Sequence, residues 1–237
     1  MKKLAFLFIF IGGVLGVYSQ DTLLEQSKPS DTILDNKYRE DQFYIGVTYN
    51  LLNNKPSGVA QSGFSSGFHA GFIRDIPINK RRNVGLGVGL GVSTNSFNNN
   101  FLITSGEGGE LQYVVLDKNL VGYTKNKFTT YMLEVPLQLR WRTSTATDYK
   151  FWRIYTGFNL GYVFYNSSKF KGDLGTIKNK NIQSFNDFQY GLTISAGYNT
   201  WNIYVYYGLN TIFSEAYLES ELVDMQALKV GLIFYIL

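Results

Sequence analysis

The amino-acid sequence predicts an all-β fold, an eight-stranded antiparallel up-and-down transmembrane β-barrel that follows an N-terminal signal peptide. Three observations lead to this prediction: one stretch of extreme two-residue alternation, seven further amphipathic stretches, and connections that alternate between long and short. In Val84–Val92 every second residue is a large aliphatic and every residue between is glycine. Because successive side chains of a strand point to opposite faces, this strand has one apolar face and one face without side chains.

Composition narrows the class of protein before any single motif is considered. Of the 237 residues, 16% are aromatic and 17% are charged, whereas soluble domains carry about 25% charged residues. The sequence has no cysteine, which excludes disulfides, thiolate nucleophiles, cysteine metal sites and a lipidated amino-terminal cysteine. This mixture suits either a membrane interface or an aromatic core.

The first residues have the pattern of an export signal. Lys2 and Lys3 precede an apolar segment over residues 4–17, and the expected cleavage point lies before Gln20. We therefore expect a signal peptide at residues 1–19, a flexible periplasmic segment at 20–41 and an outer-membrane barrel at 42–237. Loss of the two lysines lowers the formal charge from +4 to +2, and no nucleic-acid partner is expected at such a balance.

In each of the eight amphipathic stretches, alternate residues form a largely apolar face. The predicted strands lie around Phe43–Leu51, Phe64–Ile76, Val84–Val92, Thr129–Arg142, Trp152–Phe164, Gln189–Tyr198, Trp201–Leu209 and Leu228–Ile236. Pro136 lacks a backbone N–H, so a bulge or a missing bond is expected beside it. Between Ser93 and Lys127 the alternation is lost, although Leu111–Leu116 could pair in a hairpin beyond the membrane, and Asn166–Ser184 is expected to be a loop.

The connections decide between a soluble sandwich and a membrane barrel. The first, third, fifth and seventh are long, whereas the second, fourth and sixth are short. Outer-membrane barrels have this asymmetry, with short periplasmic turns and longer extracellular loops. An even number of strands then predicts an outer-membrane location with the amino terminus in the periplasm, and with outer-membrane lipid in contact with the apolar face.

The tryptophans provide a second argument for the membrane. The up-and-down path places all three at the periplasmic rim, on the apolar face: Trp141, Trp152 and Trp201. Indole rings prefer the interface, where the ring contacts hydrocarbon and its N–H stays hydrated. The sequence therefore predicts a periplasmic aromatic girdle.

Charged residues on the polar faces predict what fills the barrel. The alternation places five inside, most of them near the periplasmic end: Asp75, Glu134, Arg140, Arg142 and Arg153. An eight-stranded barrel is just wide enough to be filled by side chains, so we expect a paired polar plug and a closed lumen. The bare glycine face should make room for large inward side chains, and the candidates are Tyr155, Tyr204, Tyr206, Arg140 and Arg153.

Motifs of catalysis or ligand binding are weak in this chain. The glycine repeat lacks the spacing of nucleotide-binding loops, and neither a cofactor nor a metal site is predicted. The only histidine, His69, faces the lumen, where a hydrolase would need a nucleophile and an orienting group beside it. The last strand carries Lys229, Gly231, Phe234 and Ile236 in a spacing that resembles the carboxyl-terminal signal read by the barrel-assembly machinery, which we expect as a partner during biogenesis.

Four segments carry a family resemblance: Gly71–Pro77, Asn79–Asn83, the glycine strand and Leu133–Leu137. In these segments the chain resembles the PorT (SprT) family of Bacteroidota outer-membrane barrels. The resemblance implies a non-enzymatic component of the type IX protein secretion system that also supports gliding motility and contacts other secretion components. Two alternatives stay open: a general small porin or surface-binding barrel, and a lumen hydrolase that uses His69.

Overall fold

A computed structural model of the protein describes residues 41–106, 110–143 and 151–236. The predicted signal peptide, all of the predicted amino-terminal segment except Asp41, and the terminal Leu237 lie outside the described residues.

The described residues form thirteen strands in chain order. They are β1 (Gln42–Asn53), β2 (Ser66–Pro77), β3 (Val84–Asn98), β4 (Phe101–Ser105), β5 (Leu111–Val115), β6 (Tyr123–Arg142), β7 (Trp152–Gly172), β8 (Gly175–Lys180), β9 (Phe188–Tyr198), β10 (Trp201–Gly208), β11 (Tyr217–Leu218), β12 (Glu221–Leu222) and β13 (Gln226–Ile236).

Eight of these strands close into a barrel, which confirms the predicted fold class. The order around the barrel is β1, β2, β3, β6, β7, β9, β10 and β13, and every neighbouring pair is antiparallel. The last strand pairs with the first, with Ile236 opposite Phe43. The other five strands are hairpin elements within the long connections: β4 pairs with β5, β8 with β7, and β11 with β12.

The two ends of the barrel differ, and we name them by their connections. The turn end carries the short connections, including the two-residue turn at Asn199 and Thr200 between β9 and β10. Asn199 has a φ of 55°, a left-handed conformation that asparagine tolerates better than most residues. The loop end carries the four long connections, three of which contain hairpin strands.

The barrel wall is apolar outside and polar inside. Phe43, Leu90 and Ile203 are 62%, 57% and 63% exposed on the outer face, whereas polar side chains such as Thr48 and Ser195 are buried on the inner face. This arrangement is the reverse of a water-soluble barrel, and it suits a wall whose outer face contacts lipid. In the part of the chain that the structure describes, no helix is long and apolar enough to cross a membrane.

The glycine strand provides the space that the sequence predicts, but for different side chains. Tyr44 lies opposite Gly71, which lies opposite Gly91 on the next strand. The Tyr44 ring occupies the space that side chains at both glycines would need. Ile73 and Arg140 occupy the same space beside Gly87.

Of the five predicted occupants, Arg140 lies against Gly87 of β3, and Tyr206 lies against Gly191 of β9. None of the atoms nearest to a Cβ at Gly85, Gly87, Gly89 or Gly91 belongs to the other four predicted residues, which are Tyr155, Tyr204, Tyr206 and Arg153. The prediction looked for side chains from the far wall, whereas the nearest side chains come from the adjacent strands β2 and β6 and from β1, the strand beyond β2. They belong to Tyr44, Ile73, Asp75, Pro136 and Arg140.

Several strands continue past their predicted ends. β3 extends to Asn98 and β6 begins at Tyr123, within a stretch predicted to be irregular. Likewise β7 extends to Gly172 and then pairs with β8, where a loop was predicted. Beyond the membrane the outer face is polar, so the contrast between the two faces disappears while the hydrogen-bonded ladder continues.

Two local predictions are confirmed. Leu111–Val115 forms a hairpin, and its partner is Phe101–Ser105. The β3–β6 ladder runs through Val88 opposite Leu137 and resumes with Gly91 opposite Glu134, with no pairs between these points among the described strands. This interruption lies at Pro136, which has no N–H to donate.

Candidate functional site: a closed polar lumen

Asp75 holds two arginines at the turn end of the lumen. Arg142 donates from Nη1 to Oδ1 and from Nη2 to Oδ2 of Asp75, both at 2.7 Å, and Arg140 Nη1 donates to Oδ1 at 3.1 Å. The side chains of these ion pairs are completely buried. Paired N–H groups of one guanidinium match the two oxygens of a carboxylate, so this contact is strong and directional. We call Asp75, Arg140 and Arg142 the polar plug.

Neighbouring groups complete the surroundings of the plug. Arg140 Nη2 donates to Gln42 Oε1, and the Arg140 guanidinium lies 4.1 Å from the centre of the Tyr155 ring. Arg142 Nε donates 3.1 Å to the backbone oxygen of Arg82 in the β2–β3 turn. The plug therefore ties β1, β2, β6 and β7 together across the lumen.

Arg153 is buried at the same end but takes a different place. Its guanidinium lies 4.4 Å from the centre of the Phe151 ring and 5.8 Å from that of Tyr235. Because a cation over an aromatic face is attracted by the ring quadrupole, these rings stabilise the buried charge.

Glu134 forms a second polar group, separate from the plug. Ser93 Oγ donates to Glu134 Oε1 at 2.7 Å, and His69 Nδ1 lies 3.2 Å from Glu134 Oε2. Lys229 is also buried nearby on β13, with its ammonium 4.6 Å from the centre of the Tyr206 ring. The sequence predicted one plug containing Glu134; the structure places Glu134 with His69 and Ser93 rather than with the arginines.

The surroundings of His69 resemble a hydroxyl–imidazole–carboxylate chain. Its Nε2 lies 3.4 Å from Thr48 Oγ1, while its Nδ1 faces Glu134. However, the Thr48 hydroxyl donates to Asn50 Oδ1 at 2.8 Å, and Thr48 is only 1% exposed. These contacts link β1, β2, β3 and β6 through Thr48, His69, Ser93 and Glu134.

Little space remains beside these groups. The cavity bounded by His69, Glu134, Gln138, Asn159 and Tyr204, among other residues, holds about 20 Å³. One water needs about 10–15 Å³ of such volume, so the cavity accommodates a water rather than a substrate. Among residues 41–106, 110–143 and 151–236, no group of three or more potential metal ligands of the His, Cys, Asp or Glu type is found.

An aromatic cap closes the loop end of the lumen. Its rings pack in a chain with centroid distances of 4.5–5.8 Å, and they belong to Phe97, Phe101, Phe128, Phe185 and Phe213. Asn126 Nδ2 donates to the backbone oxygens of Asn99 and Phe101, which fixes the chain around the cap.

Tyr113 of β5 stacks on Phe101 of the cap and donates a hydrogen bond to Ser184 Oγ. Burial raises the pKa of its phenol. The lumen is therefore filled at both ends.

Comparison with known proteins identifies this architecture. A protein-family model described as an outer membrane protein beta-barrel domain matches residues 24–214, most of the chain. The chain belongs to this family. The comparison with curated proteins found no match.

Membership of an outer-membrane barrel family explains the exposed rings at the turn end. The structure places Trp141, Trp152 and Trp201 there on the outer face, where they are 42%, 60% and 62% exposed. Trp152 packs on Tyr198 at 5.4 Å between centroids, and Trp201 packs on Phe234 at 4.7 Å. In this transmembrane barrel the rings are positioned at one edge of the lipid-facing wall.

The four residues of the predicted assembly signal lie on both faces of β13, the last strand of the outer-membrane barrel. Lys229 and Gly231 face the lumen, whereas Phe234 and Ile236 lie on the outer face. Gly231 lies so close to β1 that a Cβ there would overlap the backbone oxygen of Val47. This close approach lies in the seam where β13 joins β1.

Several participants in the lumen network escaped the sequence analysis. Gln42, Tyr44, Thr48 and Ser93 all face inward, and their positions follow the same alternation that placed Asp75 and Arg140. The alternation could therefore have listed them as inward side chains. It could not show which residues meet, because partners such as Arg140 and Gln42 lie on strands far apart in sequence.

Proposed function

We propose that this protein is a non-enzymatic outer-membrane component of the type IX protein secretion system that also supports gliding motility. The observation that carries the proposal is the resemblance to the PorT family in Gly71–Pro77, Asn79–Asn83, the glycine strand and Leu133–Leu137. Within the broader outer-membrane barrel family, these segments resemble PorT itself, which is called SprT in gliding bacteria. Gly71–Pro77 contains Asp75 of the polar plug. Leu133–Leu137 contains Glu134 of the second polar group and Pro136, where the β3–β6 ladder is interrupted.

The filled lumen supports a role at the surfaces of the barrel rather than through its interior. Loops on a rigid scaffold are suited to contact partners, and here three of the four long connections carry their own hairpins. The basic turn between β2 and β3 offers a second surface, because Lys80 and Arg81 are exposed there. We place the turn end in the periplasm and the loop end outside the cell, with other secretion components bound at either surface.

Deletion of the gene tests this function. In a gliding member of the Bacteroidota, we expect the deletion to abolish secretion of type IX cargo proteins and colony spreading, and the wild-type gene to restore both. The measurement is cargo protein in the culture medium by immunoblot, with an unrelated outer-membrane barrel as a check on envelope integrity. Normal secretion and gliding in the deletion strain would contradict the proposal.

The alternative of a general small porin makes a different prediction. Because the polar plug, the second polar group and the aromatic cap occupy the lumen, we expect no steady conductance when the purified barrel is inserted into planar lipid bilayers. The matched measurement uses a known open porin at the same protein-to-lipid ratio. A large, steady conductance from this barrel would favour the porin.

A further inference from the structure

Six lysines lie on one face of the sheet formed by β8 and the loop-end parts of β6 and β7. They are Lys125, Lys127, Lys169, Lys171, Lys178 and Lys180. Lys169 pairs with Lys127 on one side and with Lys178 on the other, and Lys125 pairs with Lys171. Directly paired residues share a face, as do residues two apart, so Lys180 belongs with the others. We call these six residues the lysine face.

The lysine face points away from the barrel axis. Next to its members in sequence, Phe128, Ser168 and Phe170 are buried on the opposite face of the sheet. The lysines themselves are exposed or half-buried. All six ammonium groups are thus presented on the outer side of the wall.

The strand segments that form this surface carry no acidic residue of their own, and Asp173 in the β7–β8 turn accepts a hydrogen bond from the backbone N–H of Gly122 at 2.7 Å. No acidic residue occurs in β8, in residues 123–130 of β6 or in residues 166–172 of β7. Among the ion pairs of the described residues, none includes a member of the lysine face. Like charges directly opposite one another destabilise a sheet. Burial, Lys125 and Lys169 together lower the pKa of the Lys127 ammonium.

The lysine face lies just beyond the lipid-facing belt. On the same outer face, nearer the turn end, Tyr131 pairs with Tyr165, and their ring centroids are 5.4 Å apart. These tyrosines lie at the loop-end edge of the apolar wall. Thr129 and Ser167 follow, and then Lys127 and Lys169. Four residues of strand span about 13 Å, or about 10 Å along the barrel axis once strand tilt is included. Tyrosines mark the interface of membrane barrels, so the lysines reach the layer of lipid headgroups.

We propose that the lysine face binds the phosphate groups of an anionic glycolipid in the outer leaflet of the outer membrane. The location of the leaflet rests on the proposed function, because it requires the loop end to be outside the cell. Lysines across three strands, about 5 Å apart from one strand to the next, match a headgroup that carries more than one phosphate. The bound phosphates would supply the negative charge that the sheet itself lacks.

A charge-matched pair of variants tests the binding. The first is Lys127→Gln/Lys169→Gln/Lys178→Gln, which removes one row of the lysine face. The control is Lys55→Gln/Lys80→Gln/Arg81→Gln, which removes the same charge from connections elsewhere on the barrel. Native mass spectrometry of the folded proteins in detergent measures retention of bisphosphorylated lipid A, of the same lipid without phosphates, and of inorganic phosphate.

We expect the first variant to bind bisphosphorylated lipid A at least about tenfold more weakly than wild type, because each lysine near an anionic surface adds attraction. The control should change by less than about twofold, and the lipid without phosphates should bind poorly to all three proteins. Equal binding by wild type and the first variant would overturn the proposal, as would inorganic phosphate binding as tightly as the lipid. Gel mobility before and after heating verifies that each protein is folded.

A separate labelling experiment assigns the leaflet. The chain has no cysteine, so Leu174→Cys in the exposed β7–β8 turn introduces a single reactive site. Labelling by a membrane-impermeant maleimide on intact cells would support the outer leaflet. Labelling only after cell lysis would overturn that assignment. Neither result depends on the secretion phenotype, so a failure here is distinct from a failure of the deletion test.

Discussion

Replacement of Asp75 by asparagine is expected to destabilise the barrel by about 3 to 5 kcal/mol. Loss of one partner from a buried ion pair leaves uncompensated buried charge, and this range is typical of that loss. Here one carboxylate serves both Arg140 and Arg142, and these side chains are completely buried. Urea unfolding in lipid vesicles, followed by tryptophan fluorescence, measures the change.

The matched control for Asp75→Asn is Glu221→Gln, which removes the same charge from the exposed β12. Surface substitutions of this kind usually change stability by no more than about 0.5 kcal/mol. If Asp75→Asn and Glu221→Gln gave the same free energy of unfolding as wild type, the plug would not stabilise the barrel.

Replacement of Gly91 by alanine is expected to destabilise the barrel by about 1 to 3 kcal/mol, the usual cost of an overpacked interior. A Cβ at this position would overlap the Tyr44 hydroxyl and lie 2.7 Å from the backbone oxygen of Ala70. The same urea titration measures the effect. The backbone oxygen belongs to the paired strand β2, so the structure has little freedom to make room.

Two further variants separate this overlap from a general intolerance of alanine. Gly46→Ala is the control, because the nearest atoms to a Cβ there lie at 3.5 Å, an ordinary contact distance. In a double variant with Gly91→Ala, Tyr44→Phe removes the overlapping hydroxyl. This double variant should recover part of the stability that Gly91→Ala alone loses. Equal losses for Gly46→Ala and Gly91→Ala would show that Tyr44 does not fill the space beside Gly91.

The alternation of the sequence predicted the barrel and the inward side of each strand well, because lipid outside and polar groups inside impose opposite requirements on successive residues. It placed Asp75, Arg140 and Arg142 on the inner face, where the structure brings them together. Contacts across the lumen depend on how far each strand is shifted against the next. That shift is not encoded in any one strand, so the link from Glu134 to His69 and Ser93 escaped prediction.

Beyond the membrane the same reasoning fails for a different physical reason. At the loop end both faces of a strand can carry polar residues, since water contacts the outer one. Lys125, Lys127, Lys169 and Lys171 therefore lie in β6 and β7, whereas the sequence suggested irregular chain there. The lysine face could be recognised only after the pairing of these strands was known.

The pairing of β13 with β1 has a consequence for how the chain folds. The residues in this seam, such as Phe43 and Ile236, come from opposite ends of the described chain. Contacts between residues so distant in sequence form slowly, because the intervening chain must first be ordered. Until the seam forms, both terminal strands expose unpaired edges that could join another chain. The slowest step of folding and the greatest risk of aggregation therefore fall on the same pair of strands.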